Sequence, residues 1–203
     1  KMHAKTEVQT LKKYGIKISE TEITKRFAGF KLSVIFKTLF DENNIKFGYE
    51  ESRKEKWKMI KNILMKKSPK FMPGVKKLFN ESKKQGIKMA IASSSIKNYL
   101  DLAIKKMNIK NLFEVIVNGD DVKHGKPDPE IFIKTMKLLK ISDKECIVIE
   151  DSTAGVIAAQ RAKIKCIAVG DHIDKSKLKK NSIYIETLEK INLKKIKELF
   201  KFL

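Results

Sequence analysis

From Pro73 onward the chain alternates between short apolar runs and helical stretches, and this rhythm narrows the fold more than any other feature. The runs are Lys88-Met89-Ala90-Ile91-Ala92, Val115-Ile116-Val117, Cys146-Ile147-Val148-Ile149 and Cys166-Ile167-Ala168-Val169, with Ser182-Ile183-Tyr184-Ile185 reading as one more at an edge. Each is too short for a stable helix and suits a strand. Between them lie helical stretches around Leu100 to Met107, Ile131 to Leu139 and Ala154 to Ala162, and a last one from Leu193 to Phe202. Strands that are apolar throughout, and are separated by helices, belong to a parallel sheet covered on both faces. The fold class is therefore α/β. In such sheets ligands bind beyond the carboxyl ends of the strands, so chemistry is sought there.

The first 68 or so residues carry only helical spacing. Val8, Leu11, Tyr14 and Ile16 close a first helix near Gly15; Val34, Ile35, Leu39 and Phe40 mark another, and Trp57, Ile60, Ile63 and Leu64 a third. Ser68-Pro69 and Pro73-Gly74 then punctuate the chain as a hinge. No apolar run approaches membrane-spanning length. The polar start, Lys1 to Glu7, does not read as a signal peptide. Cys146 and Cys166 lack metal-ligand or redox spacing and read as buried reduced thiols, although the two strand starts leave a bridge open. These features lead us to expect a cytoplasmic protein, and a monomer.

The formal net charge is +21, which raises nucleic acid or an acidic membrane as a partner. Only Arg26, Arg53 and Arg161 are arginines, and the lysines run from Lys1 to Lys201 without a block of five or six. Arginine is the residue suited to bidentate phosphate contact and to stacking on bases. The charge therefore reads as a solvated lysine surface that draws in small anions, with no nucleic-acid and no membrane partner.

Three strand ends are informative. Ser93-Ser94-Ser95 follows the run ending at Ala92, where hydroxyls and the free N–H groups of a starting helix make a phosphate cradle. Capping of that helix by Ser95 explains the triplet as well. In Gly125-Lys126-Pro127-Asp128-Pro129, the prolines hold Lys126 in a stiff loop at a helix entrance. There its ammonium would neutralise a phosphoryl group or a buried carboxylate, unless it is one more surface lysine. Glu150-Asp151-Ser152 places two carboxylates directly after an apolar strand. Asp151 or Ser152 could cap the next helix, but a cap leaves the other acid unexplained. An adjacent pair repels itself unless a cation sits near it, and oxygen ligands of this kind suit Mg2+.

A serine, a lysine before proline and an acidic pair, in that order at strand ends, resemble three motifs of the haloacid dehalogenase superfamily. The closest resemblance is to its phosphatases and β-phosphoglucomutase-like members with a helical cap. The most specific stretches are Asn118 to Pro127 and Ile149 to Gly155. The resemblance implies a Rossmann-like parallel sheet with helices on both faces, over residues 71–203, and an all-helical cap over residues 1–70. It implies Ser93 and Lys126 as catalytic residues at the phosphoryl group, Ser94 and Ser95 beside it, and Asn98 as a substrate contact. Asp151 and Glu150 would bind Mg2+, Glu150 directly or through water. Phe27-Ala28-Gly29-Phe30-Lys31 resembles the substrate-selecting cap loop, with Gly29 turning and Lys31 reaching for an anionic substrate or lying on the surface as an ordinary lysine. His3 resembles a histidine that family members carry soon after their first motif.

That first motif, an aspartate nucleophile and a second aspartate two residues later at the end of the first strand, has no match here. The expectation is an incomplete chain, inactive as it stands, whose intact form is a Mg2+-dependent phosphatase for a small phosphorylated metabolite acting through an aspartyl-phosphate. A sugar phosphomutase is the variant reading. Leu32 stands where a β-phosphoglucomutase would carry arginine, which favours hydrolysis. A catalytically dead phosphate-binding module, and a basic nucleic-acid binder, complete the alternatives.

Overall fold

In the computed structural model, residues 2–200 are described; Lys1, Lys201 and the expected helix end at Phe202 lie outside them. Four helices come first: α1 (Met2–Lys12), α2 (Glu20–Phe27), α3 (Leu32–Glu42) and α4 (Tyr49–Lys66). Sequence spacing anticipates three of these and misses α2. Its signal is local, since the Ser19 hydroxyl accepts the Glu22 amide at 3.0 Å and so satisfies a first-turn donor. Leu11, Ile23, Ile35, Phe36, Leu39 and Phe40 meet in a core that belongs to this segment alone. Lys56 of α4 forms an ion pair with Glu7 of α1 at 2.6 Å, with both side chains almost fully buried.

After the turn at Pro73 come α5 (Val75–Lys84), β1 (Ala90–Ala92), α6 (Lys97–Met107), β2 (Val115–Val117), α7 (Glu130–Leu139), β3 (Ile147–Glu150), α8 (Thr153–Arg161), β4 (Lys165–Val169), β5 (Ser182–Ile185) and α9 (Leu193–Leu199). Every strand pairing is parallel. The register of β4 shows why its run is apolar throughout. Cys166 and Ala168 pack with Val156, Ala158 and Ala159 of α8 on one face. Ile167 and Val169 pack with Leu78 of α5 and Ile196 of α9 on the other. A strand with period-two side chains and helices on both faces has no polar side.

The sheet is in two pieces, β1-β2 and β3-β4-β5. Among the described residues, no backbone hydrogen bond joins β1 to β3. Ile149 of β3 is 43% exposed, although it sits in an apolar strand whose sequence asks for burial. Cys146 and Cys166 are free thiols, and burial pushes them up to about 11 and about 12. Among the described residues, no helix is long and apolar enough to cross a membrane.

Candidate functional site

The carboxyl ends of β1 and β3 open on a cavity of about 1210 Å3 that also runs between the two sheet pieces. Lys126 crosses between those ends. Its Nζ donates to the carbonyl of Ala92, the last residue of β1, at 3.0 Å, and it forms an ion pair with Glu150, the last residue of β3. The two side chains are 6% and 8% exposed. Two charges withdrawn from water need all their remaining hydrogen bonds made. Glu150 meets this demand through Ser152, whose hydroxyl and amide donate to its second oxygen at 2.9 and 3.3 Å. The Ser152 hydroxyl also accepts the Gly155 amide at 3.1 Å, capping α8. Gly155 leaves room for the Glu150 carboxyl, which a Cβ at that position would overlap and have to displace.

The loop before α7 holds Lys126 in place. The Glu130 carboxylate accepts the amides of Lys123 and His124 at 2.8 and 2.7 Å. These two bonds, that of His124 first, keep its carboxyl below the usual range. Arg161 of α8 donates to the Pro127 carbonyl at 2.9 Å, and the Lys126–Pro127 peptide is cis. Neither Glu130 nor Arg161 was singled out from sequence. The only hint was an acid in the first turn of a helix, a position explained equally well by the helix dipole.

Asp151 differs from Glu150. It keeps solvent contact, lines the cavity and has no ion-pair partner among the described residues. Surrounding protein atoms first, and the neighbouring Glu150 charge second, push its carboxyl above the usual range, while Lys126 and His172 pull the other way. Among the described residues, no group of three or more His, Cys, Asp and Glu side chains is gathered to hold a metal. The donor set is thus one free carboxylate beside a second that is committed to Lys126 and Ser152. This fits a hard ion such as Mg2+, which keeps waters and takes further oxygens from elsewhere.

The serines separate into different roles. The Ser93 hydroxyl accepts the Ser95 amide at 3.2 Å, and the Ser95 carbonyl accepts the Gly119 amide. The Ser94 hydroxyl donates to the Gly29 carbonyl at 2.6 Å. Capping by Ser95 does not occur: Ile96 takes the cap position of α6, and the Asp120 carboxylate, from the loop after β2, accepts the Lys97 amide at 2.8 Å. His3 lines the cavity with its ring edge-on to Tyr99, centroids 4.6 Å apart. Burial, then the Lys56 charge, lower it to about 3, so it is neutral at physiological pH. Asn98 is exposed on the first turn of α6 and stands outside the cavity lining. Lys31 also stands outside that lining, and its Nζ donates to the Val122 carbonyl at 3.0 Å. The structure therefore gathers His3, Gly29, Ser93 to Ser95, Lys126, Glu150 and Asp151 around one cavity.

Residues 1–169 match the model of the family described as haloacid dehalogenase-like hydrolase. A phosphorylated carbohydrates phosphatase of Thermotoga maritima is 31% identical over 157 residues, which cover 76% of this chain and 70% of that protein. A bifunctional riboflavin kinase/FMN phosphatase of Arabidopsis thaliana is 40% identical over 101 residues, 49% of this chain and 27% of that protein. Several other curated relatives are matched over 10% to 48% of their length. Among solved structures, a β-phosphoglucomutase from Clostridium difficile superposes with a TM-score of 0.88 at 23% identity, covering 98% of this chain and 90% of that one, a likeness of fold.

Proposed function

The chain belongs to the haloacid dehalogenase-like hydrolase family, and on that premise we propose that its intact form is a Mg2+-dependent phosphoric monoester hydrolase for a small phosphorylated metabolite. One observation carries the reading: the buried Lys126 ammonium bridges the ends of β1 and β3 beside the Asp151 carboxylate, which has no ion-pair partner among the described residues. Catalysis of phosphoryl transfer is chiefly positioning and charge compensation, and this is a site for both.

In this reading, residues 71–203 are the phosphotransfer core and residues 1–70 a helical cap. The aspartate nucleophile lies on a strand encoded before Lys1 and seated between β1 and β3. The unpaired edges of those strands and the exposure of Ile149 support such a guest. An oxygen of that aspartate displaces the alcohol from phosphorus, giving an aspartyl-phosphate, and water then releases inorganic phosphate. Lys126 offsets charge on the nucleophile and the phosphoryl oxygens, and Ser93 holds one of those oxygens through its hydroxyl. Asp151 would hold Mg2+, with Glu150 as a direct or water-mediated ligand, and the ion would offset phosphate charge. His3, kept neutral, stands ready as a hydrogen-bond partner for the reacting groups. The protein would act as a cytoplasmic monomer.

The test is turnover of p-nitrophenyl phosphate and a panel of phosphorylated sugars, nucleotides and small acids by the protein including the residues encoded before Lys1. Mg2+-dependent release of phosphate is expected, with Asp151→Asn lowering it about 100-fold, the scale of losing a charge-stabilising group. No release from any ester, or unchanged turnover in Asp151→Asn, would end this reading.

A further inference from the structure

We propose that the Ala28–Lys31 loop is a three-point latch holding the helical segment shut over the strand-end site, with Ser94 and Lys31 as its positioning residues rather than substrate ligands. The loop touches each of the three chemical motifs. The Gly29 carbonyl accepts the Ser94 hydroxyl, from the turn after β1, at 2.6 Å. The Gly29 backbone lies so close to Ser152, at the cap of α8, that a Cβ would overlap its hydroxyl, and its φ of +86° is one that other residues rarely adopt. The Lys31 ammonium reaches the Val122 carbonyl at 3.0 Å, and the Lys31 stem lies against Gly125, whose own Cβ would overlap it. Val122 to Gly125 is the stretch that delivers Lys126.

These contacts have a distinct place among those joining the two segments. Others among the described residues lie on α6: His3 of α1 against Tyr99, and the Lys106 ammonium on the Met65 carbonyl of α4. Helices α1 and α4 against α6 thus form a hinge side, and the loop forms a closing side. The donor used at each bond argues against substrate binding. A hydroxyl already given to a neighbouring carbonyl, and an ammonium outside the cavity lining, are not presented to an incoming anion. Both acceptors are neutral backbone carbonyls, so each bond is strong enough to bias closure and weak enough to break in every cycle.

Amide hydrogen exchange of the full chain reads the latch without any turnover. Ser94→Ala and Lys31→Met should each speed exchange across residues 27–33 about tenfold, the expected result of losing one closing bond. Exchange in α1 and β4 should stay unchanged, and Lys31→Arg should restore the wild-type rate. Unchanged exchange in both variants overturns the latch, as does a loss of inorganic-phosphate affinity in either without faster exchange. Because exchange needs no substrate, its result is independent of the phosphatase reading: faster exchange in a protein that hydrolyses nothing removes that reading alone.

Discussion

Among the described residues, two buried lysine–glutamate pairs occur, one in each segment, and they are nearly matched in burial. Lys56–Glu7 joins α1 to α4 at 7% and 6% exposure, and Lys126–Glu150 joins the ends of β1 and β3 at 6% and 8%. Burial lowers the Lys56 ammonium and Glu7 raises it, so this pair balances its own charge, although both residues also line the cavity. The pair at the strand ends has a surplus. Asp151 adds a second negative charge that forms no ion pair among the described residues, and it faces a cavity. A buried ion pair alone is weak evidence for either stability or function. Both pairs border the cavity, and the leftover charge is what separates a joint from a site.

The sharpest way to break this comparison is to remove each cation in the intact protein. Lys126→Met is expected to lower turnover of a phosphate ester about 1000-fold and, by stranding Glu150, to cost about 3–5 kcal/mol in urea unfolding. Adding Glu150→Gln should return much of the stability and none of the turnover; a double variant that recovers turnover would make this pair a joint like the other. Next, Lys56→Met should also cost about 3–5 kcal/mol by stranding Glu7, yet Lys56→Met/Glu7→Leu should return to within about 1 kcal/mol of the parent with turnover largely kept. Turnover that collapses in that double variant would move Lys56 and Glu7 into the site.

A smaller effect tests how tightly the strand-end pair is seated. Alanine favours a helix interior over glycine by about 1 kcal/mol, but Gly155→Ala should destabilise by about 1–3 kcal/mol, because its Cβ must displace the Glu150 carboxyl. Thermal unfolding decides the sign, and a rise in Tm would mean that Glu150 has room to move. The smallest effect concerns the surplus charge. The Asp151 carboxyl titrates higher in the fold than in the unfolded chain. Its contribution to stability is therefore full below the unfolded value of about 3.9 and is lost as pH rises through the folded one. Without Mg2+, Asp151→Asn should melt about 1–2 °C above the parent at neutral pH, and the gap should vanish at acidic pH. Mg2+ should raise the parent's Tm and leave the variant's where it was. A lower Tm for the variant at neutral pH would place a favourable partner beside Asp151.

Much of this was legible because strand ends are local. The bounds of β2 and β5 follow from their apolar runs, and Lys126, Glu150 and Asp151 stand out for residue type and position. The limits were set by contacts distant in sequence. The run at Cys146 begins one residue before β3, and the strand extends to Glu150 because Glu150 pairs with Ala168. Ser95 looks like a cap in sequence, yet Asp120, brought in by the β2 loop, does that work. Gly29 could be read as a turn glycine, but nothing near it in the chain says that it lies against Ser152. Helix α2 escaped notice because its apolar face rests on only two buried residues, Ile23 and Phe27.

The divided sheet has a consequence for solubility. In residues 2–200, β1 and β3 each turn an unpaired parallel edge toward an apolar cavity, with Ile149 at its rim, and in the proposed reading these edges stay open until the guest strand docks between them. Free strand edges are templates for pairing with another chain, and proteins blunt them with charge, lysine above all. With +21 net charge spread along the chain, two copies repel before their edges meet. That protection is electrostatic, so it fades as salt shortens the reach of the charge. The lysines that give little information about a partner would thus guard the chain against self-association before that strand docks, strongly in dilute buffer and weakly in brine.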